Sequence, residues 1–361
     1  MAAIDSAGSV YVGGVTDGTA FGVAGTPEVD FLAKYSSTGT LLWNHEWQDT
    51  SGSSVNVATD GSGNVWVTSG AGVQNYNSGG GLAWTAAYAS GAECGGLALD
   101  PSGNAYITGA IYDAAGHYKE NPFVSKYSST GSRLWTREVM NPMPQAYSNA
   151  IAVNSLGQAA ILGTALDSKY NPQAFATQFD ATGNIVWNQT YGQGWAGSIA
   201  IDNSGSTYMT LDASANIFGS SGGDYLVKYD SANSLLWYSQ FSRENNPMAI
   251  TIDPNGFEYV NGGSGVLKYS TSGTLLDSYS WSSYYISSLA YSNGRMAIAD
   301  SANYSCTVSD VIVPEPGSLL MLAAAAFSLA GWAAIVRARK RPDGACGGRD
   351  LQPLQNLVAF S

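Results

Sequence analysis

Residues 100–135 contain a sequence unit that recurs along most of this chain of 361 residues. The unit begins DPSGNAYITG, continues through an insert of variable length and ends FVSKYSSTGSRLW. Each half alternates apolar and polar residues on either side of a turn sequence, DPSG in the first half and SSTG in the second. Such alternation around turn residues predicts two β-hairpins, so each unit predicts four short antiparallel strands.

Six units share their anchor positions, and a seventh begins at residues 288–300 and then loses the pattern. In each unit an acid or amide in the first turn is followed three residues later by a glycine, at Gly8, Gly63, Gly103, Gly157, Gly205 and Gly256. Five units close on a tryptophan, at Trp43, Trp84, Trp135, Trp187 and Trp237. Repetition about every 40 to 55 residues predicts an all-β fold, a β-propeller of four-stranded antiparallel blades, with seven blades or alternatively six.

These anchors have physical roles in a propeller. A tight hairpin turn needs a positive φ, which glycine adopts without a Cβ clash, and an Asp or Asn side chain can accept hydrogen bonds from the turn backbone. The tryptophans are expected to pack between neighbouring blades. The D-x-S-G-N sequences contain oxygen ligands, but they lack the alternating acids of a calcium loop, so we predict turns and no metal site.

The repeats also resemble a known family. YVGG, YITG and YVNGG after the first turn, followed by DFLAKYSSTG and DYLVKYDSAN, resemble the SBBP class of bacterial β-propeller repeats over roughly residues 3–310. That resemblance implies the fold and says almost nothing about a ligand. TGTLLW, TGSRLW and TGNIVW are similar to the tryptophan-docking turns of quinoprotein propellers.

Charge limits the partners that the body of the chain can bind. Residues 1–316 hold 10 Lys and Arg against 25 Asp and Glu, a net charge of −15 (10 minus 25). An acidic body repels phosphate backbones, so we expect no nucleic-acid partner.

The chain has three cysteines, which are far apart in sequence and have no metal-binding spacing. A Cys94–Cys306 disulfide stays open as an alternative to free thiols.

The connections between strands predict which end of the propeller binds a ligand. First and third connections are short and uniform, whereas second connections such as ALDSKYNPQAF and links between blades such as GQGWAGS vary. In an up-and-down blade these two sets lie at opposite ends, and function on a rigid scaffold concentrates in variable loops. We therefore expect ligand-face aromatics at Tyr147, Trp195, Trp281, Tyr284 and Tyr285. The alternative is that these rings only pack the loops.

A membrane-spanning helix is predicted near the C-terminus. Residues 317–336 carry no charge, and 20 helical residues at about 1.5 Å each match a hydrocarbon core of about 30 Å. A basic cluster follows at Arg337, Arg339, Lys340 and Arg341, which places the C-terminus in the cytoplasm and the propeller outside. The expected domains are a propeller at 1–310, an anchor segment at 311–341 and a disordered tail at 342–361.

The segment before this helix resembles a sorting signal. Pro314, Glu315 and Pro316, followed by the apolar run and the basic cluster, resemble the PEP-CTERM signal of Gram-negative exopolysaccharide producers. The resemblance implies recognition by the membrane protease exosortase, removal of the helix, and delivery to the cell envelope or the extracellular matrix. A plain membrane anchor is the alternative. Because such a signal acts only on an exported chain, we expect a signal peptide upstream of Met1.

No pattern in the sequence predicts a catalytic residue or a cofactor. The two histidines, His45 and His117, lie in different repeats, and neither a G-x-S-x-G nor an H-E-x-x-H motif is present. Acids that could pair on one face lie in second connections, at Asp17, Glu28, Asp113, Glu120, Asp167 and Asp224. We therefore expect a non-catalytic surface or matrix module that binds polysaccharide or protein. The alternative is an exported enzyme acting on glycans or alcohols.

Overall fold

A computed structural model gives the architecture of the chain. It describes residues 1–16, 29–48, 55–112, 120–139, 143, 145–213, 222–241, 249–261, 265–280, 286–292, 295–300 and 307–312. Within those ranges every regular element is a β-strand, and the strands are antiparallel to their neighbours in the sheet apart from one single-residue contact. The predicted all-β fold of four-stranded antiparallel sheets is confirmed.

Six successive units have four strands each, and a seventh has three described strands. Units 1 to 3 contain β1 Ala2–Ile4, β2 Val10–Thr16, β3 Val29–Tyr35, β4 Leu41–Trp47, β5 Asn56–Thr59, β6 Val65–Ser69, β7 Gly72–Tyr76, β8 Leu82–Ala86, β9 Ala92–Leu99, β10 Ala105–Tyr112, β11 Glu120–Tyr127 and β12 Arg133–Glu138. Units 4 to 7 contain β13 Gln145–Val153, β14 Ala159–Leu166, β15 Pro172–Phe179, β16 Ile185–Ile201, β17 Thr207–Ala213, β18 Gly223–Tyr229, β19 Leu235–Phe241, β20 Ile250–Ile252, β21 Glu258–Asn261, β22 Gly265–Tyr269, β23 Leu275–Ser280, β24 Ile286–Ser292, β25 Arg295–Asp300 and β26 Thr307–Ile312.

The first strands of the units contact one another in sequence order. These contacts run from β1 through β5, β9, β13, the second half of β16, β20 and β24. The last of them, β24, contacts β1 again, and the hydroxyl of Ser288 donates to the carbonyl of Ala2 at 3.5 Å. The units therefore surround one axis with their first strands innermost, as a propeller requires.

Units 4 and 5 share one uninterrupted strand. The sequence predicts a variable link at residues 192–198, but β16 continues through this segment for 17 residues. Its first half pairs with β15 as far as Gln193, and its second half pairs with β17 from Gly194 onward. Backbone hydrogen bonding on both sides of the junction holds the segment extended.

The hydrophobic core lies between successive units. One cluster joins Tyr11 and Leu32 of unit 1 to Val55, Val65 and Tyr76 of unit 2. Similar clusters occur at the following junctions, and the second strands of the units are buried along most of their length. Neighbouring sheets therefore bury each other's faces, which is the source of stability in a ring of small sheets.

The six first-turn glycines have φ between +74° and +83°. In unit 3 the Oδ1 atom of Asp100 accepts hydrogen bonds from the backbone N–H of Ser102 at 3.0 Å and of Asn104 at 2.9 Å. The same pair of bonds recurs in each of the six units. The glycine and the acid or amide thus form the turn in the manner that the sequence predicts.

Tryptophans of the fourth strands lie over glycines in the third turn of the following unit. A Cβ atom placed on Gly131 would lie 2.7 Å from the Trp84 ring, and one on Gly273 would lie 2.5 Å from the Trp237 ring. Trp43 over Gly80 and Trp135 over Gly183 have the same arrangement. These rings therefore bridge neighbouring units.

The features predicted near the C-terminus lie outside the described residues. These are the sorting triplet at Pro314, Glu315 and Pro316, the helix at 317–336, the basic cluster at 337–341 and the tail. Among the residues that the structure describes, no helix is long and apolar enough to span a membrane. The predicted anchor stays a prediction.

Candidate ligand-binding end of the ring

The strand order separates two ends of the ring. The end with the first and third turns of each unit we call the turn end, and the opposite end, with second connections and links, we call the variable end. At the turn end each turn closes with a backbone hydrogen bond between its first and fourth residues, as between Asp100 and Gly103 at 2.9 Å. The described turns at this end are therefore uniform, and differences between units concentrate at the variable end.

The turn end also contains a repeated polar arrangement that we did not predict. In unit 3 the Tyr106 hydroxyl donates to Asp100 at 3.4 Å, and the Lys126 ammonium lies 3.5 Å from Asp100 and 4.7 Å from the Tyr106 ring centre. The same Asp–Tyr bond and Lys–Tyr contact occur in three more units, at Asp5, Tyr11 and Lys34, at Asp202, Tyr208 and Lys228, and at Asp253, Tyr259 and Lys268.

Unit 4 shows that this arrangement is structural. There the acid and the lysine are both replaced by neutral amides, Asn154 and Gln178, and the tyrosine by Ala160. Asn154 donates to the carbonyl of Asp202 at 2.9 Å and Gln178 to that of Gly205 at 3.2 Å, both in the next unit. Both charges are thus absent from unit 4, and its neutral amides still bind the turn end of this unit to the next one.

Two of the five predicted ligand-face aromatics are described. Tyr147 on β13 is half-buried opposite Thr164, whereas Trp195 on β16 is 46% exposed opposite Asp212. Trp281, Tyr284 and Tyr285 lie outside the described residues. Of the two described aromatics, Trp195 is thus the one with a ring open to solvent.

The backbone around Trp195 is held by strand pairing and by a hydrogen bond to a neighbouring strand. Its strand is the one shared by units 4 and 5, and the N–H of Ala196 donates to the hydroxyl of Thr164 on β14 at 3.1 Å. The side chain of Asp212 is partly exposed, and Asp224, the next residue across the sheet, is 1% exposed. An exposed indole is therefore presented beside one accessible carboxylate.

Tyr170 is a second exposed ring at this end, which the sequence analysis missed. It lies in the turn between β14 and β15 and is 74% exposed. Asp167 Oδ1 accepts hydrogen bonds from the N–H groups of Lys169 at 2.8 Å and Asn171 at 2.9 Å, the same geometry as in the first turns. The hydrogen bonds from the Asn171 side chain and backbone lower the pKa of Asp167. The signal was present, because DSKYN is the D-x-x-G-N turn with tyrosine at the glycine position.

The tyrosine at position 170, where the turns of D-x-x-G-N sequence have glycine, strains the backbone of its turn. Tyr170 has φ +62°, in the left-handed region, which costs a non-glycine residue about 1–2 kcal/mol. The other described non-glycine residue with positive φ is Asn233 at the turn end, an amino acid that tolerates this conformation. Its side chain accepts a hydrogen bond from the Tyr191 hydroxyl at 2.9 Å, whereas the Tyr170 ring projects into solvent.

A third exposed aromatic differs from these two. Tyr112 at the variable end of unit 3 is 39% exposed, but its hydroxyl donates to Glu93 at 2.5 Å. Of the candidate acids, Asp17, Glu28 and Asp113 lie outside the described residues, and Glu120 is described only in its backbone. The structure therefore places Trp195 opposite Asp212 and Tyr170 in a turn at the same end of the ring, and it does not gather the predicted acids into one cluster of described residues.

Other reactive side chains have structural surroundings. Cys94 is a buried free thiol whose Sγ donates to the Thr68 hydroxyl at 3.2 Å, and burial raises its pKa to about 11. His45 Nε2 lies 2.7 Å from the Gly80 carbonyl oxygen of the next unit. His117 and Cys306 are outside the described ranges. Within those ranges no group of three His, Cys, Asp or Glu side chains could hold a metal ion.

Comparison with known proteins supports the fold. No protein-family model matches the chain, and no curated protein matches it. Among solved structures, a streptogramin B lyase is similar with a TM-score of 0.50 and 13% identity, over 72% of this chain and 83% of that one. A protein of unknown function from Bacteroides caccae has a TM-score of 0.42 and 13% identity, over 69% and 89% of the two chains.

The likeness to the lyase identifies a propeller-like fold. At 13% identity it shows nothing about activity, and the described residues already form sheets around one axis. The resemblance of the repeats to SBBP units and of the C-terminal segment to a PEP-CTERM signal stays a prediction from the sequence.

Proposed function

We propose that this chain is an exported, non-catalytic protein of the cell surface or extracellular matrix whose seven-bladed ring is a binding or scaffold module. The observation that carries the proposal is the exposed Trp195 ring at the variable end, on a strand that pairs with β15 as far as Gln193 and with β17 from Gly194 onward. A rigid ring that presents an aromatic surface beside polar groups suits binding to a polysaccharide.

The proposed route to the surface rests on the C-terminal sequence. The triplet Pro314, Glu315 and Pro316, the apolar residues 317–336 and the basic cluster have the order of a PEP-CTERM signal. We propose that exosortase recognises this segment in an inner-membrane intermediate and releases the SBBP-like ring to the envelope or the matrix of a Gram-negative bacterium. A matrix rich in exopolysaccharide would then supply the ligand.

A second candidate function is an exported enzyme acting on glycans or alcohols. Asp212 and Asp224 are opposite residues on β17 and β18, and two carboxylates near a sugar are what a glycosidase uses. Asp224 is almost fully buried, however, so one carboxylate of the pair reaches solvent. This observation favours binding over hydrolysis.

A glycan array probed with the full-length chain tests the proposal. We expect binding to a polysaccharide class that Trp195→Ala weakens, with the bound glycan recovered intact. A chain that binds no glycan would contradict the proposed function. Recovery of shortened glycan, lost in Asp212→Asn, would favour the enzyme instead.

A further inference from the structure

Tyr170 occupies a position where the fold favours glycine. The turns with the same D-x-x-G-N sequence have Gly63, Gly103 and Gly183 there, with φ of +77°, +74° and +86°. Tyr170 has the same hydrogen-bonded turn with φ +62°. Because glycine would form this turn without strain, the turn itself does not explain the tyrosine.

The exposed ring also makes no core contact that would explain it. Tyr170 is the most exposed of the large hydrophobic side chains in the described part of the chain, at 74%. An aromatic ring with this much surface in water gains little from folding, because its burial is small. A strained and exposed aromatic residue therefore points to a contact outside the chain.

Tyr170 and Trp195 lie at the same corner of the ring. Gln173 on β15 pairs with Gln193 on β16. Tyr170 precedes Gln173 by three residues and Trp195 follows Gln193 by two, so the backbone of each aromatic residue lies within about 10 Å of this pair. The Ala196 N–H bond to Thr164 ties the Trp195 segment to β14, three residues before the Tyr170 turn begins.

The groups around the two rings match one ligand chemistry. Gln193 is exposed and the side chains of Gln173 and Asp212 are partly exposed, so amide and carboxylate groups lie next to flat apolar surfaces. A sugar has an apolar C–H face that packs on a ring and hydroxyl groups that hydrogen-bond to amides and carboxylates. The acidic charge of residues 1–316 disfavours polymers of uronic acids.

We propose that Tyr170 and Trp195 form a paired aromatic surface that binds an uncharged polysaccharide. The inference rests on the proposed function and specifies its site and ligand class. Tyr170 is a ligand-contacting residue, and the strained conformation of its turn is the cost of holding the ring where it contacts the ligand.

Affinity electrophoresis of the full-length chain tests this site. Gels contain hydroxyethylcellulose or dextran as uncharged polymers, alginate as a polyuronate, or no polymer. We expect retardation by at least one uncharged polymer and none by alginate. Tyr170→Gly and Trp195→Ala should each weaken the retardation about tenfold, the scale of losing one stacked ring.

Asn233→Gly is the matched control, because it also replaces a left-handed non-glycine residue by glycine but lies at the turn end. It should bind as the wild type does. Tyr170→Gly should unfold at the wild-type temperature or up to about 3 °C higher, which separates lost binding from lost folding. Tyr170→Asn, which keeps a residue tolerant of positive φ, should also lose binding.

The possible outcomes distinguish failure of the proposed site from failure of the proposed function. Retardation of the wild type with equal retardation of Tyr170→Gly and Tyr170→Asn would overturn the site while leaving polysaccharide binding intact. Retardation by alginate in preference to the uncharged polymers would overturn the ligand class. No retardation by any polymer, together with no binding on the glycan array, would overturn the proposed function and this inference with it.

Discussion

The Trp84 ring of unit 2 lies directly over Gly131 of unit 3 and donates its Nε1–H to the carbonyl of Ser129 at 3.2 Å. Trp43 and Trp237 make the same bond to Ser78 and Thr271 of the following units, at 3.3 and 3.2 Å. At each of these junctions, one tryptophan ring thus packs on a glycine of the following unit and donates a hydrogen bond to that unit.

We expect Gly131→Ala to destabilise the ring by about 2–4 kcal/mol, because a Cβ there meets the Trp84 ring and φ is +88°. Denaturant unfolding followed by tryptophan fluorescence measures the loss. Gly61→Ala is the matched control, since a Cβ at Gly61 has no neighbour within 4 Å. Equal stability of the two variants would contradict the packing role.

Asp100→Asn should fold, because unit 4 carries Asn154 at the equivalent position. Burial by itself would raise the pKa of Asp100, but hydrogen bonds from Asn104 and the charge of Lys126 outweigh it and the pKa is lowered. The stability that this carboxylate contributes is therefore present above its unfolded pKa of about 4 and is lost as the pH falls through the folded value.

Asp100→Asn should thus lower the free energy of unfolding by about 1 kcal/mol at pH 7. Below about pH 4 the stability of this variant should fall less steeply with acid than that of the wild type. Urea unfolding at several pH values checks both parts. Asp230→Asn serves as the control. Asp230 lies in an exposed third turn, and no described lysine is placed beside it as Lys126 is beside Asp100. An unchanged acid profile for Asp100→Asn would argue against the Asp–Lys pair.

Glu258 is fully buried, and neither of its carboxylate oxygens has a hydrogen-bond partner. Burial raises its pKa to about 8, and the charges of Asp253 and Asp202 act in the same direction against that of Lys228. Other units carry apolar or neutral residues at the equivalent register position, at Val10, Val65, Ala105, Ala159 and Thr207.

The folded chain therefore keeps the Glu258 proton between about pH 4.5 and 8, where the unfolded chain has lost it, so stability falls as the pH rises across this window. Glu258→Gln should remove that slope and stabilise the ring by roughly 1–3 kcal/mol at pH 7 after solvent screening. Exposed Glu138→Gln is the control in urea titrations from pH 4 to 9. A slope that survives in Glu258→Gln would contradict this assignment.

Replacing Glu315 by Ala should block processing if the triplet is the proposed protease signal. Membrane fractionation and mass spectrometry in an exosortase-producing host would then find the uncut chain in the membrane. Arg349→Ala, beyond the basic cluster, should be processed as the wild type is. A Glu315→Ala chain that is cut and released normally would contradict the sorting proposal.

Much of the fold was predictable because its causes are local. Turn glycines need positive φ and strand residues alternate with a period of two, so a repeat as regular as residues 100–135 specifies four strands from its own sequence. The turn at residues 167–171 was not recognised, because tyrosine replaces the glycine that marks the other turns. The strand through residues 192–198 was also missed, because its pairing partners on β15 and β17 belong to two units.

The sequence by itself determined the repeat, the first and third turns of the units and the positions of the repeat tryptophans along the chain, since each depends on residues a few positions apart. Only the tertiary structure decided that β24 meets β1, that Glu258 is buried without a hydrogen-bond partner, and that Trp195 lies opposite Asp212. These relationships join residues from different turns, strands or units, and a contact of that kind depends on how whole sheets pack around the axis.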